Sequence, residues 1–286
     1  MTNTILVVGG TGMLGEPVAR RLAADGFKVR LLARDPRKAR AKFDETFEVV
    51  VGDVEKPETL PVALQGCSGV HVNLAGGPTP ESYLRIEGQG TAHVARAAAR
   101  AGVQHLTYLS GASTRPAHAW FAPCKGKLDA EEAIRQSGIP YSIFRASWFF
   151  ESLPLFVQGK QAILIGKQPN PVHWLAADDY ARMVSAAYQK SEAAKQTFFL
   201  YGPEAMPMLE ALKRYCAAVR PDVKARRLPI GLVRLAAKLA GDARLADVTD
   251  FLAYYEKVHE QDDPTPANRI LGAPAITLEQ WCAARS

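Results

Sequence analysis

Residues 7–15 read Val-Val-Gly-Gly-Thr-Gly-Met-Leu-Gly. Gly9, Gly12 and Gly15 recur every third position, and Gly10, Gly12 and Gly15 also fit G-x-G-x-x-G. Glycines so spaced allow a tight turn, close approach of backbone to a pyrophosphate, and tight helix–strand packing. The triplet follows an apolar run, Thr4–Val8, and opens a segment, Met13–Ala24, with helical spacing. A helix start offers free N–H groups and the positive end of the helix dipole to phosphates. The chemistry indicated is dinucleotide binding, with Gly9, Thr11, Gly12, Met13, Leu14 and Gly15 as the binding turn.

The second apolar run ends at Ala33, and Arg34 follows it. A carboxylate near this place would hold the ribose 2′-hydroxyl of NAD, whereas arginine suits a 2′-phosphate. Lys38 and Arg37 add positive charge nearby. Asp35 is read as the N-cap of a helix that starts with Pro36. The expected cofactor is therefore NADP(H) in preference to NAD(H). Asp53, followed by Val54, ends the third run; its carboxylate could accept from an adenine amino group or simply cap a turn. Leu74, Ala75 and Gly76 end the fourth run, where small residues keep a crevice open.

These residues need elements to position them. Strands are predicted at Thr4–Val8, Phe27–Ala33, Phe47–Val51, Gly69–Ala75, Gln104–Ser110 and Pro140–Arg145. Helical spacing lies between them at Met13–Ala24, Pro57–Gln65, Ser82–Ala101 and Leu128–Gln136. Such alternation implies a parallel sheet covered on both faces. The fold class is α/β, a doubly wound parallel sheet with a smaller, mostly helical C-terminal subdomain. The cofactor domain is expected over 1–147, its sheet completed by segments within 171–201, with a substrate-binding subdomain over 148–286. Within the latter, Pro171–Ala176 and Thr197–Tyr201 are predicted strands and Asp178–Gln189 a helix.

The segments VVGGTGMLG, VRLLARDPRKA, VGDVEKPETL, HLTYLSGAS, KLDAEEAIRQSGIPYSIFRASWFFESL and WLAADDYARMV occur in this order. In that order they resemble the atypical short-chain dehydrogenase/reductases, specifically the NmrA-like NAD(P)-binding family, over nearly the whole chain. The resemblance implies a Rossmann-type fold and a catalytic Ser, Tyr and Lys, with the Tyr four residues before the Lys. Lys127 matches the lysine, and Ser110 and Ser113 lie where the serine belongs. The tyrosine position is then Pro123, or Phe121 if Lys125 is the lysine, and neither transfers a proton. The implied activity is hydride transfer from NADPH to a small or medium apolar carbonyl, quinone or enone without the usual tyrosine. Tyr83, Tyr108 and Cys124 are the conceivable alternative proton donors. A non-catalytic NADP(H) sensor or regulator is the competing reading. Trp148, Phe149, Phe150 and His173 are assigned to the substrate pocket, each with core packing as the alternative.

Composition excludes several other classes. Of 286 residues, 48% are hydrophobic and 22% charged, as in soluble globular proteins and unlike disordered or coiled-coil chains. The four cysteines show no metal-ligand spacing, so no metal is expected. A soluble cytoplasmic protein is expected, without stable membrane insertion, acting on a small molecule and not on nucleic acid; oligomeric state is not legible. The net charge of +6 is unevenly placed. Between Lys28 and Lys42 there are seven bases and one acid, and between Lys213 and Lys238 eight bases and one acid. The first cluster surrounds the expected 2′-phosphate site; no role is assigned to the second. Leu228–Ala240 has helical apolar spacing beside several bases. It is read as a helix packed over the substrate cleft, with a membrane-surface helix as the alternative.

Overall fold

The computed structural model describes residues 3–77 and 79–285. Its strands in chain order are β1 Thr4–Val8, β2 Lys28–Ala33, β3 Glu48–Val51, β4 Gly69–Val72, β5 His105–Gly111, β6 Tyr141–Ala146, β7 Val157–Gln158, β8 Gln161–Ile165, β9 Val172–Trp174, β10 Gln196–Leu200, β11 Glu204–Met206 and β12 Lys224–Leu228. The chain divides into two compact units. The first contains the chain up to Ala146 with Ala177–Leu200 and Asp263–Gly272; the second contains Ser147–Ala176, Tyr201–Asp262 and the segment from Ala273.

The first unit is built on a seven-stranded sheet in the order β10-β6-β5-β4-β1-β2-β3. Every pairing in it is parallel, the Rossmann-type doubly wound arrangement expected. The winding direction reverses between β1 and β4, which pair with Val8 opposite Val72. Ligands bind at such a switch point, beyond the carboxyl ends of the strands. Leu6, Val8, Val70, Val72, Leu106, Tyr108 and Ile143 pack with Leu60, Leu64, Val94, Ala98, Ala130 and Ile134 on one face. Helix Gly15–Ala24 packs beside helix Ala177–Gln189. Strands buried on both faces read as apolar runs, which is why β1 shows no alternation.

Two helices differ from their predicted form. The stretch predicted as one helix from Ser82 contains a π-helical segment, Tyr83–Gln89, ahead of the α-helix Gly90–Arg100. The wider turn sets Glu87 in the interior, 1% exposed. Helix Ala122–Gln136 begins a turn and a half before Leu128, with Pro123 in its first turn. A proline suits that place because the N–H it lacks would have no helical partner.

In the second unit, β12-β8-β7 and β11-β9 form two small sheets, and helices carry most of the remaining regular structure. Phe150, Leu153, Leu164, Trp174, Leu212, Tyr215 and Trp281 form its main core. β9 pairs antiparallel with β11, whereas β10 extends the large sheet of the first unit. Helix Ile230–Ala240 was expected to bury its apolar side over a cleft. Instead Leu232, Leu235 and Leu239 are exposed, and the side it buries carries Val233 and Ala237.

Helix Ala122–Gln136 is tied to the sheet through a fully buried carboxylate. Glu131 accepts from Ser110 Oγ at 2.7 Å, from Arg145 Nε at 3.0 Å and Nη2 at 2.7 Å, and from Arg135 Nη2 at 2.8 Å. Burial opposes its ionisation, but the hydrogen bonds from Arg145, Ser110 and Arg135 outweigh that cost and hold the carboxyl below its ordinary range. Removing one partner of such a cluster leaves a buried charge uncompensated. Glu131→Leu is expected to cost about 3–5 kcal/mol of stability in denaturant titrations. A carboxyl depressed on folding stabilises above its unfolded pKa, and that contribution is lost as pH falls through the folded value. The wild-type chain should therefore lose stability on acidification below about pH 4.5 more steeply than the Leu variant.

Candidate functional site

The glycine turn closes over the switch point. Gly12 N donates to Gly9 O at 3.0 Å, and Glu16 N to Gly12 O at 3.0 Å, leading into helix Gly15–Ala24. Gly9 has φ +82°, and a Cβ on it would stand 1.9 Å from Asn73 O. A Cβ on Gly15 would stand 2.2 Å from Gly9 O. Side chains at either position would force the turn open. Leu14, at the N-cap, contributes no side-chain cap, so the first helical N–H groups face a concave, side-chain-poor turn. Thr11 is half-buried, Met13 is exposed and Leu14 is half-buried. The cradle fits a pyrophosphate by the room its glycines leave.

Arg34 follows β2 and is exposed, as is Lys38. Neighbouring bases are already engaged. Arg30 donates to Ala63 O at 2.8 Å and Gln65 O at 2.7 Å, Arg40 to Phe47 O at 2.9 Å, and Lys42 to Glu16 at 2.8 Å. Arg37 lies 3.5 Å from Asp35. Among the described residues, Arg34 and Lys38 form no ion pair. Asp35 caps helix Pro36–Arg40, its Oδ1 accepting from Arg37 N at 3.0 Å, so it acts as the cap that the sequence suggested. Asp53 Oδ1 accepts from Glu55 N at 3.0 Å, a turn contact that uses one oxygen. Val54 is buried, and its carbonyl is 2.8 Å from His93 Nδ1.

Leu74, Ala75 and Gly76 continue from β4. The ring of Tyr83 lies against Gly76, where a Cβ would meet its Cδ1 at 2.0 Å. Lys127 Nζ is ion-paired with the buried Glu87 carboxylate, lies 3.4 Å from Leu109 O and stands over the Tyr108 ring at 5.8 Å. Burial pushes the Glu87 carboxyl up, with Lys127 pulling against it. Gly126 permits this approach, since a Cβ there would stand 2.8 Å from Tyr83 O. Lys127 is thus held at the carboxyl end of β5 by a carboxylate that sequence reading missed. The available signal was an acidic residue at an inward position of a predicted helix.

The remaining sequence candidates divide. Ser110 is buried and its hydroxyl is committed to Glu131. Ser113 is buried beside Cys124, 3.8 Å from Oγ to Sγ. Tyr108 is fully buried, and burial raises its phenol well above the usual value. Cys124 is buried as well. Of the conceivable proton donors, Tyr83 alone is partly exposed, its ring against Gly76. In the second unit, Phe150 stacks on Trp174 at 6.1 Å, and Phe149 is buried. Trp148 is half-buried, edge-on to Tyr255 at 5.1 Å. His173 lies stacked on Tyr201 at 4.8 Å, with its Nδ1 2.8 Å from Glu260 Oε2. Ser147 also donates to Glu260.

Known proteins are similar to this chain. The chain is 26% identical to the photosystem II assembly factor Ycf39 of Trieres chinensis over 91% of its length and 83% of that protein's. It is 26% identical to an NAD(P)H azoreductase of Xenophilus azovorans, covering 99% of this chain and 98% of that one. The crystal structure of Citrobacter sp. triphenylmethane reductase complexed with NADP(H) has the same fold, with a TM-score of 0.77 at 21% identity over 99% of this chain and 100% of that one. The family model described as NmrA-like matches residues 1–249. With the glycine turn, the parallel sheet and a match over most of its length, the chain belongs to the NmrA-like family.

Proposed function

We propose that this protein is an NADP(H)-dependent oxidoreductase that reduces a small or medium, apolar, conjugated acceptor such as a quinone, enone or dye. The observation that carries the reading is the site beyond β1 and β2. A side-chain-poor turn at a helix start lies beside Arg34 and Lys38, two bases that no described carboxylate neutralises. NADPH, when bound, supplies the hydride. Gly9, Gly12 and Gly15 leave room for its pyrophosphate, with Thr11, Met13 and Leu14 forming the rest of the turn. Arg34 and Lys38 attract its 2′-phosphate. Asp53 and Val54 border the adenine, and Leu74, Ala75 and Gly76 border the rest of the crevice.

Lys127, held in place by its ion pair with Glu87, orients the nicotinamide ribose. Pro123 stands where the family tyrosine would be, so the acceptor is one that needs little acid catalysis; the Tyr83 ring lies against Gly76. The named activity of the azoreductase relative, together with the NADP(H) complex of the triphenylmethane reductase, supports an enzyme over a non-catalytic sensor.

Three measurements test this reading. NADPH oxidation should be steady with at least one acceptor from a quinone, enone and azo-dye panel; silence across the panel with NADPH bound would return the protein to the sensor class. Arg34→Ala should weaken NADPH binding by about 10- to 100-fold, the worth of a charge-assisted contact, and barely change NADH binding. Equal losses for both cofactors would refute the 2′-phosphate assignment. Lys127→Met leaves Glu87 buried and without its cation, so it should cost about 3 kcal/mol of stability. Glu87→Leu combined with Lys127→Met should recover much of that stability and none of the NADPH affinity.

A further inference from the structure

The second basic cluster leads to a surface of the second unit. Helix Ile230–Ala240 exposes Leu232, Leu235 and Leu239 at 62%, 55% and 80%. Successive positions three and four apart lie on one face of a helix, so the three leucines form one stripe. Arg234 and Lys238 form a parallel row beside it, also four apart. Edge strand β12, running into this helix, carries the exposed bases Lys224 and Arg226 on one face and Arg227 on the other. Among the described residues, Lys224, Arg226, Arg227 and Lys238 form no ion pair. Acids nearby do little to cancel them. Asp250 pairs with Arg234 at 2.6 Å, Asp242 caps the next helix through Leu245 N at 2.9 Å, and Asp247 is half-buried.

Three exposed leucines on a short helix are costly in water, each giving up much of the roughly 1.5–3 kcal/mol that full burial of such a side chain provides. Charge indicates what covers them. A two-fold pairing of this face with a second copy would set the same basic rim against itself, because an isologous interface joins identical patches. The 11-residue helix is only about 16 Å long, and its face falls far short of the ~800 Å² per partner of a stable protein interface. A bilayer surface makes neither demand. It receives an apolar stripe to the depth of the headgroup boundary while anionic lipids meet the flanking bases. No described helix is long and apolar enough to cross a membrane, so the contact is peripheral.

We propose that the leucine face of helix Ile230–Ala240, with Arg226, Arg227 and Lys238, docks the protein on anionic lipid bilayers. The inference does not depend on the activity proposed above, since it is read out by binding alone. The full chain is sedimented with vesicles of phosphatidylcholine, or of phosphatidylcholine containing phosphatidylglycerol, at low and high salt. Binding is expected to the anionic vesicles, at least tenfold stronger than to phosphatidylcholine alone, and weakened by salt. Leu235→Asp with Leu239→Asp should abolish it while the circular dichroism and melting temperature stay those of the wild type, because both positions are exposed. Lys238→Glu, and Arg226→Glu combined with Arg227→Glu, should each weaken it about fivefold or more. Equal binding to both vesicle types, binding to neither, or binding that survives the leucine substitutions overturns the proposal. So does a concentration-dependent dimer in sedimentation velocity that the leucine substitutions dissociate and that fails to bind vesicles.

Discussion

The carbonyl of Asn73 lies where a Cβ on Gly9 would have to be. That one steric exclusion sets much of the first unit's upper edge. It requires glycine in a left-handed conformation directly after β1, lets the chain turn beside the end of β4, and delivers helix Gly15–Ala24 with its N-terminus over the switch point of the sheet. Gly15 repeats the condition against Gly9 O. The two glycines make a concave surface of backbone and keep it clear of side chains. Such a surface leaves room for a phosphate group at a helix start.

Around that edge the sheet is secured by two buried carboxylates of opposite character. Glu131 is surrounded by donors and ionised readily; it ties helix Ala122–Gln136 to the ends of β5 and β6. Glu87 has one strong partner, Lys127, and burial resists its ionisation. A buried ion pair is poor evidence of net stabilisation, because desolvation of both charges offsets much of their attraction. Its better-supported consequence here is placement. Lys127 is drawn over the Tyr108 ring and to the carbonyl at the end of β5, instead of being left free on a helix surface. The π-helical turn Tyr83–Gln89 is what brings Glu87 inward, and widened turns of this kind recur at functional sites.

The charge distribution divides by unit. Among the bases at the carboxyl end of β2 and in the helix that follows, Arg34 and Lys38 form no described ion pair. The bases near β12 stand beside an exposed leucine stripe. A modest total charge thus resolves into two basic regions, one in each unit.

Much of the first unit was legible because its signals are local. β1 is buried on both faces and reads as an apolar run without alternation; the glycine spacing records a turn; Asp35-Pro36 records a cap and a helix start. Other features depended on residues far apart in sequence. Ser110 reads as the family serine from its place after the fifth strand, and nothing local shows that Glu131, 21 positions on, accepts its hydrogen bond. Glu87 and Lys127 are 40 positions apart, and no spacing rule joins them. Helix Ile230–Ala240 has the apolar period of a buried helix, and sequence alone placed it over a cleft. The period reports that a stripe exists, and only packing decides whether anything covers it. By itself, then, the sequence determined the parallel sheet, the glycine cradle and the helix starts, since these follow from backbone sterics and short-range periodicity. Only the tertiary structure decided which charges are neutralised, which hydroxyls are spent and which leucines meet solvent, because those outcomes depend on what the fold brings alongside.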